Sequence, residues 1–403
     1  MFLKQVAIVG GGPAGAFAAS ELAGAGLQVS VFDEKLAWEK PCGGGLTDKA
    51  LGRWLFLRNS ADERNWITHC ELVSPRGRKV SFELDRKIAI FSRFTLNGLL
   101  LERAREAGAR LIRERVIEIG GRSGEWNLKT KRGSYQADFV VLASGARSAF
   151  RGQFSSPLTP ENFMVAVGYY IPGTRHIVQI RFLEGLHGYL WVFPRQDHFS
   201  AGICGRMQGK STAELRQMLD ARLSEFGLGL KNATLYAHII PSLVPSALES
   251  TAFSGEGWAM VGDTAGFVDP ITGEGLYYAL RSAELMAQAI LNHAPESYPM
   301  LVKRDFLSGL VHASRIADRF YSGEWMGSGV IERMIQLTAR SPRFRNLMRD
   351  LFAGSQEYTD LKARVYGSLP VIAAETLVST LWPSTKTSTP GTKAGMNSPS
   401  QAA

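Results

Sequence analysis

The stretch from Gln5 to Glu34 constrains this chain more than any other. Val6-Ala-Ile-Val9 is a short apolar run of the kind buried in a parallel strand, and Gly10-Gly11-Gly12-Pro13-Ala14-Gly15 follows at once. A small-residue helix is expected from Ala16 to Ala23, stopped by Gly24 and Gly26, before a second strand from Gln28 to Phe32 that ends in Asp33 and Glu34. Gly10-x-Gly12-x-x-Gly15 therefore stands between a strand and a helix, the context that gives the spacing its meaning. Gly10 permits the tight turn, Gly12 lets a pyrophosphate approach the backbone, and Gly15 lets the helix sit on the strand. The helix start, with Pro13 and Ala14 beside it, offers unpaired N–H groups to an anion. Asp33 lies eighteen residues past Gly15, where a carboxylate meets a ribose 2′-OH, and Glu34 is its neighbour. Together these features predict a bound dinucleotide.

The 403 residues are enough for two domains with a large shared core. Cys42, Cys70 and Cys204 are odd in number and lack C-x-x-C spacing, which argues for a reducing compartment and against a disulfide framework or a structural zinc site. No metal site is expected. No apolar run approaches the ~18–20 residues of a membrane-spanning helix, and the chain enters its first strand without a signal-peptide pattern. The expected location is cytoplasmic, or peripheral on the cytosolic face of a membrane. A net charge of +9 suits an anionic cofactor or a membrane surface, and no nucleic-acid recognition motif accompanies it.

Further along, Lys40-Pro41-Cys42-Gly43-Gly44-Gly45 is too rich in glycine for a helix or strand interior. It is expected to pass close to a flat ring, with Cys42 presented to it. Glu71–Ser74 and Lys79–Leu84 look like a hairpin, followed by a separate short strand from Ile88 to Phe91. A helix is expected from Leu96 to Ala107, with Arg93 just before it and suited to a phosphate. A β-meander between Val116 and Phe139 precedes the buried strand Phe139–Ala143 and the turn at Ser144 and Gly145.

From Phe163 to Cys204 four closely spaced β runs predict an antiparallel sheet. Alternation puts Tyr189, Trp191 and Phe193 on one face of it. That face is either packed on a covering helix or forms an apolar wall for a lipophilic substrate. A second strand-to-loop unit, Gly257 to Gly275, delivers Asp263 after Gly262. It opens through Pro270, Gly273 and Gly275 into a helix from Leu276 to Leu291. Asp263 is placed to accept hydrogen bonds from a sugar-alcohol chain, and the helix start to face an electron-rich ring. Residues 297–382 are expected to be helical. Within them, Ser341-Pro342 begins an amphipathic helix with Phe344, Leu347, Met348, Leu351 and Phe352 in one stripe. With Arg340, Arg343, Arg345 and Arg349 around it, this helix either lies on an anionic bilayer or packs on the protein's own core. Beyond Trp382 the composition predicts a disordered tail.

These motifs together resemble the geranylgeranyl reductase family, within the FAD enzymes of p-hydroxybenzoate hydroxylase-like fold. The resemblance runs from about Val6 to about Ile290. It rests on Gly10–Gly15, the Lys40–Gly45 cysteine loop, Tyr189-Leu-Trp191-Val-Phe193-Pro194, and Gly262-Asp263 with Asp269-Pro270-Ile-Thr-Gly-Glu-Gly275. It implies an α/β fold: a Rossmann-like FAD-binding domain, an antiparallel β-sheet substrate domain and C-terminal helices. The expected boundaries are 1–152 with 253–295 for FAD, including an inserted hairpin near 70–91. Residues 153–252 would form the sheet domain, 296–382 the helical region and 383–403 the tail.

The resemblance implies an oxidoreductase that reduces isoprenoid C=C bonds of a lipid, quinone or pigment precursor. NADPH is the implied donor, with ferredoxin as another. Tyr189, Trp191, Phe193 and Pro194 would meet the substrate, and Cys42, Tyr189 and Trp191 are the catalytic candidates. Ser144-Gly145 stands where many relatives carry Asp-Gly, which leaves the donor open. A monooxygenase, or a flavin-dependent halogenase, is the alternative on the same scaffold. Nothing in the sequence fixes the oligomeric state.

Overall fold

The computed structural model describes residues 3–325 and 328–381. The tail expected at 383–403 lies outside the described residues. Two sheets organise the chain. The first has the order Ser254–Gly255, Trp258–Met260, Phe139–Leu142, Gln5–Val9, Gln28–Phe32 and Arg110–Ile112, all parallel apart from the short first strand. Its strands are apolar on both faces because helices Pro13–Gly24, Arg93–Glu106 and Leu276–Leu291 join the same buried core. Gly15 is what lets the first helix settle: a Cβ there would lie 1.9 Å from the Gly10 carbonyl oxygen. Strands Glu118–Arg122, Glu125–Lys129 and Ser134–Ala137 form the small meander beside it.

The second sheet has eight strands, ordered Thr234–Pro241, Phe163–Pro172, His198–Arg206, Leu190–Pro194, Ile177–Arg181, Arg64–Val73, Lys79–Phe91 and Gly45–Leu46. It is antiparallel except where Ile177–Arg181 runs parallel to Arg64–Val73. The hairpin expected near Glu71 is longer than its local pattern showed. Lys79–Phe91 is one strand rather than two, and it belongs to this second sheet instead of forming an insertion in the dinucleotide-binding half. A register shift between Ile67 and His69 absorbs the polar Asp85–Lys87 stretch that had looked like a break.

Helix Thr212–Leu223 covers one face of the sheet, burying Leu215, Leu219 and Leu223 against Val167, Leu190, Val192 and Ile203. Over the other face lie helices Val330–Arg340 and Pro342–Ala353. The Phe344, Leu347 and Met348 stripe is buried there with Phe82, Ile88 and Val178, so this helix packs on the core and does not present its apolar side outward. Two of its three arginines are occupied within the protein. Arg345 donates to the carbonyls of Thr338 (3.0 Å) and Ala339 (2.9 Å), and Arg349 pairs with Asp85 (3.2 Å). Helices Ser308–Ser322 and Tyr358–Leu381 stand beside these two, and no described helix is long and apolar enough to cross a membrane.

Candidate functional site

A single cavity of about 1210 Å³ runs between the two sheets. At one end it is lined by Gly10, Gly12, Pro13, Ala14, Asp33, Glu34, Ser144 and Gly145. The physics of this end follows from its glycines. Gly10 holds φ +112° and has no room for a side chain, since a Cβ would stand 2.3 Å from the Ala143 carbonyl oxygen. A Cβ on Gly12 would meet nothing within 4 Å, so its backbone faces open space at the helix start. The Asp33 carboxylate accepts from the N–H groups of Gly11 (2.8 Å), Lys35 (2.8 Å) and Leu36 (2.9 Å). It therefore shapes the loop after its strand, and Glu34 beside it is the more open of the two acids. Ser144 bonds within its own turn, to Ser148 at 2.7 Å, and Gly145 N–H donates to Thr264.

The middle of the cavity gathers residues from both sheets. Arg93 is buried and lines it, with Nη2 donating to Asn97 at 3.2 Å and Nε left without a hydrogen-bond partner. A buried cation with an unused donor fits an anionic group in the cavity. Opposite the Ser144 turn, Lys40 and Asp263 pair at 3.1 Å. Burial pushes the Asp263 carboxyl up, but Lys40 overrides it and holds the group below its ordinary value. His238, on the edge strand, lines the same space with Nε2 unpartnered. Burial, then Lys40, drives its pKa down to about 3, so the ring is neutral.

The cysteine loop is fixed from behind. Arg195 is fully buried, pairs with Glu39 and donates to the Cys42 carbonyl oxygen at 2.7 Å. Ser200 donates to the same oxygen at 2.9 Å. Glu39 also accepts from Ser92 (2.6 Å) and from the backbone N–H of Arg93 (2.9 Å), so one carboxylate ties the loop to the start of the Arg93 helix. Burial raises its pKa, but Arg195 and these donors lower it further, for a net decrease. Gly43 lies on the ring of Phe193, where a Cβ would come within 2.5 Å.

Tyr189, Trp191 and Phe193 all line the cavity, while Leu190 and Val192 point to the covering helix. The aromatic row is therefore a cavity wall, and the helix packs on the opposite face. Tyr189 donates to the Thr272 carbonyl, and burial raises its hydroxyl well above the usual range, so the group holds a loop. Pro194 is buried but outside the lining, its carbonyl accepting from Asn65 at 3.1 Å. Gly15, Gly262 and Pro270 are likewise close by without lining the space. Gly262 packs instead on Ala14 and Ala279, its N–H donating to Ser282 at 2.9 Å.

Loop 269–275 closes the centre. Gly273, Gly275 and Leu276 line the cavity, and helix Leu276–Leu291 starts there without a side-chain cap, leaving its first N–H groups for an electron-rich partner. Glu274, absent from the sequence expectations, also lines the cavity, with Thr47 Oγ1 donating to it at 3.4 Å. Burial, then Asp269, raises its carboxyl to about 7. Beyond the aromatic row the cavity becomes an apolar branch, walled by Phe182, Phe320, Met334, Phe344, Leu347, Leu361, Val365 and Leu369.

The dinucleotide half matches a family model described as pyridine nucleotide-disulphide oxidoreductase, over residues 4–154. All three cysteines of this chain are free. The chain is 27% identical to geranylgeranyl diphosphate reductase of Arabidopsis thaliana, over 75% of this chain and 68% of that protein. It is also 27% identical to menaquinone reductase of Mycobacterium tuberculosis, over 94% of each. A solved geranylgeranyl bacteriochlorophyll reductase-like structure from Thermoplasma acidophilum superposes with a TM-score of 0.74 at 20% identity, over 91% of this chain and 99% of that one. A flavin-dependent brominase shares the fold at a TM-score of 0.66 and 15% identity, over 91% of this chain and 98% of that one. The sequence resemblance to geranylgeranyl reductases and the expected fold class are both borne out.

Proposed function

We propose that this FAD-dependent oxidoreductase reduces carbon–carbon double bonds of an isoprenoid chain carried by a lipid, quinone or pigment precursor. One observation carries the reading: the space at the glycine turn continues without interruption past Cys42 and Trp191 into an apolar branch. Its volume exceeds the ~1,000 Å³ upper range of ordinary small-molecule pockets, as a dinucleotide together with a long apolar chain requires.

Reduced FAD supplies the hydride, and the chain's own residues do the rest. Gly10, Gly12 and Ala14 would receive the pyrophosphate at the helix start, with Arg93 supplying buried positive charge. Asp263 would accept from the ribityl hydroxyls. The uncapped N–H groups at Leu276 would hold the electron-rich end of the ring. Trp191 and Phe193 exclude water and align the alkene, with the apolar branch holding the remainder of the chain. Cys42 Sγ, in the loop pinned by Arg195, is the proposed holder of the proton for the second carbon, since the Tyr189 hydroxyl is committed to Thr272. NADPH is the proposed electron donor, with ferredoxin the other candidate, and a cytoplasmic location accompanies the reading.

The test is anaerobic incubation of dithionite-reduced protein with geranylgeranyl lipids, followed by mass measurement. Products heavier by whole pairs of hydrogens are expected. An unchanged lipid, with hydroxylated product or peroxide forming once air is admitted, would replace this reading with an oxygenase.

A further inference from the structure

The last described helix, Tyr358–Leu381, has two unlike sides. Its inner side, with Leu361, Val365 and Leu369, lines the apolar branch and buries Ser368 and Ile372. On its outer side Tyr366, Val371, Leu377, Val378 and Leu381 are 62%, 50%, 63%, 62% and 71% exposed. Between Tyr366 and Leu381 the only charged residue is Glu375, and it turns inward to accept from the Ser341 hydroxyl and the Arg343 N–H (3.0 Å). Two hydroxyls on this stretch are bonded internally, Thr376 and Thr380 each donating to the carbonyl one turn back at 2.7 Å. Single exposed apolar residues are ordinary; an uncharged face of about 24 Å, at 1.5 Å per residue, is not.

Two further observations indicate what covers it. Basic groups border the face without carboxylate partners: Arg340 is held by Thr380 (3.3 Å), Arg343 by Ser368 (3.4 Å), and Lys362 stands exposed beside the Tyr366 ring. In addition, Tyr366 and Lys362 both line the cavity while being exposed, so the apolar branch opens onto this side.

We propose that the outer face of helix Tyr358–Leu381 rests in the headgroup layer of an anionic phospholipid bilayer, with the cavity mouth turned to the lipid. An apolar strip flanked by cations whose side chains lack carboxylate partners is the pattern of a helix lying in the interface, and the absence of a spanning helix among the described residues fits attachment from one side. The mouth then receives an apolar chain directly from the bilayer. That last consequence rests on the proposed activity; the surface contact does not.

Flotation of the FAD-loaded protein with vesicles of phosphatidylcholine and phosphatidylglycerol, without any isoprenoid, tests the contact. Wild-type protein is expected to float with the vesicles, less so in high salt. The combined Leu377→Asp, Val378→Asp and Leu381→Asp variant, with unchanged circular dichroism and FAD content, is expected to lose binding by at least about tenfold. Arg340→Gln with Arg343→Gln should weaken binding and flatten its salt dependence. Equal binding by wild type and the triple variant, or no wild-type binding, would overturn the proposal. So would a wild-type dimer that ignores vesicles and becomes monomeric in the triple variant, because a second copy would then cover the face. No lipid is reduced in this assay, so its failure and a failure of alkene reduction remain separable.

Discussion

Tyr358, the first residue of the last helix, donates its hydroxyl to the buried carboxylate of Asp269 at 2.8 Å. The same carboxylate accepts from the N–H groups of Ile271 (2.8 Å) and Thr272 (3.0 Å), so it is the point where loop 269–275 and the C-terminal helices are joined. Tyr189 and Tyr321 hold the neighbouring carbonyls of Thr272 and Ile271. Tyr358→Phe keeps the ring and removes one donor. It should cost about 1–2 kcal/mol of stability, read as a shift in the denaturation midpoint, and weaken FAD binding several-fold. Unchanged FAD affinity would mean that the loop holds its shape without the helix.

Asp263→Ala should be purified with substoichiometric flavin. A charge-assisted hydrogen bond contributes roughly 1.5–3 kcal/mol, enough for at least a tenfold loss of affinity. The variant also leaves Lys40 without its partner in the cavity. In the wild type the Asp263 pKa is depressed, so its contribution to stability is present above the unfolded value and is lost only as pH falls through the lower folded value. Resistance to mild acid, with failure below the ordinary Asp range of about 4, is the expected pH profile, followed by circular dichroism.

Glu274 behaves in the opposite sense. Its folded pKa of about 7 lies above the ordinary carboxylate value, so folding retains a proton that the unfolded chain releases. Stability from this group is therefore highest in acid and declines as pH rises from about 4.5 to about 7. Glu274→Gln should match wild type near pH 4 and become the more stable protein above neutrality, by up to about 3 kcal/mol. Denaturant titrations across that range would show the two curves separating. Parallel curves would place the carboxyl in water.

Trp191→Ala should slow alkene reduction strongly while leaving donor-driven flavin reduction nearly unchanged. The ring stands between Tyr189, at 6.0 Å, and Gly202, where a Cβ would lie 2.4 Å from it. Gly202→Ala therefore offers a second route to the same wall by pushing the ring into the cavity. Rapid-mixing measurements separate the half-reactions, and an equal loss in both would make Trp191 a packing residue alone.

Much of this architecture could be read before any coordinates, wherever a local pattern determines a local structure. Glycine spacing announced the turn at Gly10–Gly15, and the Gly275 boundary marked the start of Leu276–Leu291 to the residue. Alternation assigned Trp191 and Leu190 to opposite faces of the sheet. What stayed hidden depends on pairings between distant segments. Glu39 and Arg195 are 156 residues apart, and neither has a local signature beyond standing just before the cysteine loop or just after the aromatic run. His238 sits on an edge strand, Thr234–Pro241, whose mixed composition shows no clear period. The Phe344 stripe told that one helix face is buried, but the same stripe suits a bilayer as well as a sheet.

The parallel register of Ile177–Arg181 on Arg64–Val73 has a consequence for how the molecule is made. The pair joins positions more than a hundred residues apart, with two strands of the first sheet, Arg110–Ile112 and Phe139–Leu142, synthesised between them. During translation the early hairpin must wait, one edge unpaired, until the later strands emerge from the ribosome. Pairings this distant in sequence form slowly and expose edges that invite aggregation. Because strands of the two sheets alternate along the chain, the sheets are not separable modules, and no continuous gene fragment encodes either one alone.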